Sequence, residues 1–254
     1  MSDEVLVDVD RGVAVITINR PQARNAVNGA VAQGIAAALD ELDERKDVSV
    51  LVITGAGGTF CAGMDLKGFL TGDNPLAGGR GFAGITEKPP LKPAIAAVEG
   101  YALAGGCEVA LSCDMIVAST EAKFGVPEVK RGLVAGAGGL LRLPQRIPYH
   151  IAMEVALTGD HYPATRMAEL GLVNRLTEPG EALAAATELA LKIAENAPLA
   201  LAATKRIIVE SADWPREEAF ARQGEIVHPI FTSKDAAEGA AAFAEKRKPV
   251  WTGE

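Results

Sequence analysis

The sequence predicts an α/β fold with a largely helical C-terminal tail, on three observations. Val48 to Thr54 is a continuous apolar run ahead of Gly55, the pattern of a parallel strand covered on both faces. Pro93 to Val98 repeats that pattern, a short helical segment from Gly105 to Ser112 follows, and Asp114 to Ala118 reads as another strand. Beyond Gly136 helical periodicity dominates. Strands alternating with helices imply crossovers in which helices cover a sheet. The chain has 254 residues, 48% of them hydrophobic, which suits a single domain with a sizeable core.

Val5 to Val9 and Val13 to Ile18 flank the turn signal Asp10-Arg11-Gly12 and predict an opening hairpin. Val31, Ile35, Leu39 and Leu42 recur at helical spacing after Asn28, a residue suited to cap them. Residues 68 to 90 are glycine-rich and aperiodic, and read as a mobile or irregular loop. Within them Gly79 to Gly84 spells a literal GxGxxG. No strand is predicted before it and proline follows closely, so it fails the context test for a dinucleotide fingerprint. Leu172 to Leu176 reads as a short strand, and Leu183, Ala186, Leu189 or Ala190 and Ile193 as one amphipathic helix. Further helices are expected to begin near Pro198, Pro215 and Ser233. The boundary falls at 177 to 181, dividing an α/β core, 1 to 178, from a helical region, 179 to 254.

A formal charge of −8 opposes a nucleic-acid surface. No apolar run approaches the ~18 residues of a membrane span, and Met1 to Glu4 shows no leader pattern, which points to a cytoplasmic protein. Cys61, Cys107 and Cys113 form no CxxC pair, so neither a disulfide framework nor a metal site is expected. Cys107 reads as a small buried residue.

Two glutamates beside glycine-rich backbone carry the chemistry. Glu108 follows Ala104-Gly105-Gly106-Cys107, and Glu128 follows Phe124-Gly125-Val126-Pro127, with Gly136-Ala137-Gly138-Gly139 shortly after. Gly105-Gly106 lies where the first turn of a helix leaves backbone N–H groups unpaired. The glycines there serve either an anionic oxygen or a close approach of strand and helix. Phe60-Cys61-Ala62-Gly63-Met64-Asp65 stands at a similar distance after the strand ending at Thr54, so the N–H groups of Met64 and Gly105 could face one crevice and form an oxyanion hole. Asp65 reads as a helix cap rather than a catalytic group. Close carboxylates resist joint ionisation, so one retains its proton while the other remains a base. No GxSxG elbow occurs, and the three histidines have no recognisable partners, which opposes a serine hydrolase.

The stretch from Lys92 to Glu108, then Phe124-Gly125 with Pro127-Glu128, and Gly136-Ala137-Gly138-Gly139, resembles the enoyl-CoA hydratase/isomerase (crotonase) superfamily. The resemblance spans nearly the whole chain, from Asn19-Arg20-Pro21 with Asn25-Ala26 to the tail Phe243 to Arg247. It implies a crotonase-like superhelix of ββα turns and an acyl-CoA thioester substrate, with no cofactor beyond the coenzyme A that the substrate carries. By similarity, the Met64 and Gly105 N–H groups bind the thioester oxygen as it becomes an enolate. Glu128 exchanges a proton with the α-carbon, Glu108 activates the water added at the β-carbon, and Gly136 helps to fix that water. Ala62 would lie near the adenine, Lys67 and Lys246 near the phosphates, and Phe243 and Lys246 would reach a neighbouring subunit of a homotrimer or a hexamer of two trimers. Having both glutamates favours a hydratase. The alternatives are a carnitinyl-CoA-type dehydratase, an isomerase of the same fold, or an idle acyl-CoA-binding protein. Ala104 stands where many hydratases have glycine, and Glu99 where asparagine is usual.

Overall fold

The computed structural model describes residues 3 to 254; Met1 and Ser2, part of the segment without a leader pattern, lie outside the described residues. The chain opens with a hairpin of β1 (Val5–Asp10) and β2 (Val13–Ile18), turned by Arg11 and Gly12, both at positive φ. Helix α1 (Gly29–Glu44) follows, its first turn capped by the Asn28 side chain, which accepts the Val31 N–H at 2.9 Å. Then come β3 (Val50–Gly55), the short α2 (Leu66–Leu70) and a small antiparallel pair, β4 (Leu76–Ala77) with β5 (Gly81–Phe82). Next are β6 (Ala94–Val98), β7 (Tyr101–Leu103), α3 (Gly105–Ser112), β8 (Met115–Ser119), β9 (Lys123–Gly125) and a 3-10 turn, Pro127–Arg131. The remainder is α4 (Gly139–Arg146), α5 (Tyr149–Thr158), β10 (Tyr162–Pro163), α6 (Ala164–Glu169), β11 (Arg175–Thr177), α7 (Ala182–Ala194), α8 (Pro198–Glu210), α9 (Ala219–Phe231) and α10 (Lys234–Glu245).

Six strands form the main sheet in the order β1-β2-β3-β6-β8-β11, parallel except for the β1–β2 hairpin. The continuous apolar runs are explained by its two covered faces. Side chains alternate across a strand. Leu51, Ile53, Ala94, Ala96 and Val98 therefore join the core that also holds Val31, Ile35 and Leu39 of α1 and Val109 and Leu111 of α3. Val50, Val52, Ile95, Ala97 and Val117 face the other way, onto Ala186 and Ala190 of α7. The expected division at 178 is therefore not a packing boundary, because α7 closes one face of the sheet. Glu99 reinforces this: its Oε1 accepts the N–H groups of Gly180 and Ala182, both at 3.0 Å, and so caps α7 from the end of β6.

A second layer was not legible in the sequence. After β6, Gly100 (φ +56) turns the chain into β7, at a place where a Cβ would stand 2.6 Å from the Gly58 carbonyl. Strand β7 pairs in parallel with β9, which pairs antiparallel with β10, and Cys61 adds a bridge to Ala102 on the other side. Each repeating unit is thus strand, turned strand, helix. These strands are too short to show a period, so the sequence marks no element between Val98 and the helix at Gly105.

Residues 68 to 90 are a correction. They form part of α2 and the β4–β5 hairpin, packed onto α1 rather than a mobile or irregular loop. Arg80, 3% exposed, donates to Asp40 at 2.7 and 3.0 Å and to the Lys88 carbonyl at 2.7 Å. Gly84 lies against α1 so closely that a Cβ would meet the Ala32 carbonyl at 2.3 Å. The glycines let the chain take this path, and the buried arginine anchors it. Two further boundaries differ: the predicted strand at 172 to 176 is displaced to Arg175–Thr177, and the helix expected at Pro215 begins at Ala219.

Ala104, at the entry to α3, has φ 52 and ψ −130, a conformation that favours glycine. Such strain costs on the order of 1–3 kcal/mol, part of which glycine returns as entropy of the unfolded chain. Ala104→Gly should therefore stabilise the fold by about 1 kcal/mol, seen as a raised midpoint in thermal unfolding.

Candidate active site

The site lies where the second-layer strands end, and close packing creates it. A Cβ on Gly106 would fall 2.1 Å from the Cys61 carbonyl oxygen, so only glycine lets the first turn of α3 seat against the Cys61–Met64 segment. A Cβ on Gly63 would lie 2.9 Å from that of Ala104 and 3.3 Å from the Gly105 nitrogen. The peptides flanking Met64 are pinned by Val27, whose N–H donates to Gly63 at 2.8 Å and whose carbonyl accepts from Asp65 at 2.9 Å. Those bonds leave the Met64 N–H free, and the Gly105 N–H, at the start of α3, has no intrahelical acceptor. The two segments that carry these main-chain donors thus pack directly against each other.

The supporting contacts explain motifs that the sequence left without roles. Arg20 pairs with Asp65 at 3.0 Å and Glu4 at 3.1 Å, and also donates to the Ala26 carbonyl at 2.6 Å. Asn25, fully buried, donates to the carbonyls of Ala56 at 2.8 Å and Thr59 at 2.5 Å. Asp65 caps α2, accepting from Lys67 and Gly68 at 3.1 and 3.2 Å. Phe82 of β5 covers Gly105, since a Cβ on Gly105 would meet its ring at 2.4 Å.

Glu108 lies in the first turn of α3 and is 3% exposed. Its Oε1 accepts the N–H groups of Ala137 at 2.8 Å and Gly139 at 2.9 Å. Burial pushes its carboxyl above the ordinary range, while the Gly139 and Ala137 amides and the Arg142 guanidinium oppose that rise. Glu128 follows β9 in the Pro127–Arg131 turn, with its Oε2 buried and without a protein partner. Burial is the largest cause that raises its pKa to about 7, and the charge of Glu108 adds to it. The twenty positions of sequence between the two glutamates are thus closed by the fold to within electrostatic reach.

Profile comparison with the Enoyl-CoA hydratase/isomerase family matches residues 8–254. The chain belongs to that family. It is 41% identical over 253 residues to the enoyl-CoA hydratase EchA19 of Mycobacterium tuberculosis, covering 97% of this chain and 95% of the relative. It is also 41% identical to the carnitinyl-CoA dehydratase of Salmonella enteritidis, with both chains covered fully. Among solved structures, an enoyl-CoA hydratase from Mycobacterium tuberculosis H37Rv superimposes with a TM-score of 0.98 at 62% identity, over 100% of both chains. A probable enoyl-CoA hydratase/isomerase from Mycobacterium abscessus gives 0.97 at 65%, again over 100% of both. The fold is accordingly the α/β crotonase fold.

The remaining residues suggested by family resemblance are placed as follows. Gly136 is exposed, and the amides that reach Glu108 belong to Ala137 and Gly139, which the sequence reading had not assigned. Ala62 is half-buried, its N–H on the Arg24 carbonyl at 3.1 Å. Lys67 is exposed on α2. Phe243 is 87% exposed on α10, and Lys246, exposed, ends that helix in a left-handed conformation at φ 55. The Cys107 thiol is pushed up to about 12 by burial and stays protonated, in keeping with a packing role.

The raised Glu128 pKa also affects stability. The folded carboxyl titrates near 7, against 4.5 for an unperturbed one. Between those values the native state binds more protons than the unfolded chain, so this group makes stability fall as pH rises. Glu128→Gln should flatten the fall: its unfolding midpoint should gain on wild type steadily from pH 4.5 to 7.5.

Proposed function

We propose that the chain catalyses the reversible addition of water to a 2-enoyl-CoA thioester. One observation carries the proposal: a protonatable Glu128 with one buried, unpartnered carboxyl oxygen lies within electrostatic reach of an amide-held Glu108, beside the segments that carry the Met64 and Gly105 N–H groups. Water at Glu108 gives a proton to that carboxylate while its oxygen bonds to the β-carbon. The double-bond electrons move onto the thioester oxygen, where the N–H groups of Met64 and Gly105 stabilise the enolate. The enolate then collapses as the α-carbon takes the proton of Glu128, and proton passage from Glu108 to Glu128 restores the starting state. No redox or metal step enters this scheme. Coenzyme A arrives with the substrate, its adenine beside Ala62 and its phosphates beside Lys67 and Lys246.

The 41% identity to a carnitinyl-CoA dehydratase over both full lengths supports a second reading, elimination of water from a hydroxyacyl-CoA. The same residues serve both directions, so the readings differ in substrate and not in mechanism. A pure isomerase would need one acid/base and leave Glu108 without a task. We also assign the chain to a homotrimer or a pair of trimers, in which exposed Phe220, Phe231 and Phe243 of α9 and α10 are covered by neighbouring subunits. Among the described residues no helix is long and apolar enough to cross a membrane, and we place the enzyme in the cytoplasm, acting in fatty-acid metabolism.

A panel of 2-enoyl-CoA thioesters of varied length and branching, followed by loss of the conjugated ultraviolet absorbance, tests the reading. Turnover of at least one member is expected, and the absence of any decay would reject it. Glu128→Gln and Glu108→Gln should each lower kcat by about 10²–10⁴-fold with KM changed only a few-fold, because each removes proton transfer and leaves binding intact.

A further inference from the structure

Beyond the two glutamates, one cation reaches the site from α4. Arg142 extends its guanidinium between two segments far apart in sequence, donating through Nη2 to the Thr86 carbonyl at 2.5 Å and through Nη1 to the Ala137 carbonyl at 3.4 Å. The space it occupies is reserved for it. Gly138 has φ +94, and a Cβ there would stand 2.3 Å from the Arg142 Nη1. Ala137 and Gly139, on either side, supply the amides that grip Glu108. Thr86 closes the turn that begins at Phe82, its N–H donating to the Phe82 carbonyl at 3.3 Å, and Phe82 is the residue lying over Gly105.

We propose that Arg142 is a positioning residue for the hydration reaction, bridging the loop that holds Glu108 to the hairpin that covers the oxyanion hole. Its charge also works against the rise that burial imposes on the Glu108 carboxyl, and so favours the ionised form. The charged or titratable groups that bear on Glu108 or its clamp are Glu128 from the 3-10 turn, the buried Cys107 thiol of α3, and Arg142 and Arg146 from α4, where Arg146 donates to the Leu111 and Cys113 carbonyls. The Cys113 thiol, beside both arginines, is held protonated by burial. Arg142 is therefore the cation that favours ionised Glu108, and Arg146 opposes Arg142. Losing Arg142 raises the pKa of Glu108, so the base is protonated earlier as pH falls. The acid limb of the rate profile must then move upward.

This inference rests on the hydratase reading, and its test separates the two. With a turned-over enoyl-CoA, Arg142→Gln should lower kcat about 10–100-fold, leave KM within about threefold, and shift the acid limb of kcat to higher pH. Arg142→Lys should restore the acid limb, because the charge returns, while kcat stays at least about tenfold low, because a single ammonium does not span both carbonyls. An acid limb unmoved in Arg142→Gln, or wild-type kcat in Arg142→Lys, would overturn the assignment. If Arg142→Gln does not fold, the lysine variant alone still decides on the bridge. Should wild type hydrate no enoyl-CoA, the hydratase reading fails on its own, and infrared titration decides on Arg142. In a Glu128→Gln background the protonated Glu108 carbonyl band should persist to higher pH once Arg142 is Gln, and an unchanged titration would refute the coupling.

Discussion

Everything in the site depends on one steric contact, the first turn of α3 resting on the carbonyl of Cys61 with no room for a side chain at Gly106. That contact sets the distance between two segments from different ββα units. Because the donors are main-chain N–H groups on packed elements, they are already oriented before a substrate arrives. A preorganised donor facing developing charge supplies roughly 3–4 kcal/mol of transition-state stabilisation, more than most side-chain contacts offer. The strain at Ala104 follows from the same geometry, since the chain must reverse abruptly between β7 and α3 to present Gly105.

The two carboxyl groups show how one site can bias two residues of the same type differently. Burial raises the pKa of both glutamates, but Glu108 has two amides on one oxygen and a nearby guanidinium, whereas Glu128 has a buried oxygen that nothing in the protein satisfies. Hydrogen bonds to a carboxylate favour its ionised form, and desolvation without partners favours the acid. The difference therefore comes from the surrounding amides and not from residue type. Two carboxyl groups whose surroundings bias them differently suit a reaction that takes a proton in one place and delivers one in another.

Much of this was legible in the sequence. Continuous apolar runs located the central strands, a period of 3.6 located α1, and the glycines before Glu108 marked the helix start, because strands buried on both faces and amphipathic helices impose those patterns. The second layer was hidden because strands of two or three residues have no measurable period. The packed hairpin at 76 to 82 was hidden because glycines at positive φ resemble disorder until a buried Arg80 is seen to anchor them. Ala137, Gly139 and Arg142 act through main-chain amides and a bridging guanidinium, and nothing in residue type announces such roles. The spacing of Arg142 from the glycine run, and the glycine at Gly138 that clears its path, were the available signals.

The central claim is that the Met64 and Gly105 N–H groups polarise a bound thioester carbonyl. The vibrational frequency of that carbonyl, isotopically labelled in an enoyl-CoA bound to an enzyme with its proton transfer disabled, measures this directly. A shift well below the frequency in water is predicted, because two fixed donors concentrate charge on the oxygen. A frequency equal to that of the free thioester in water would contradict the account.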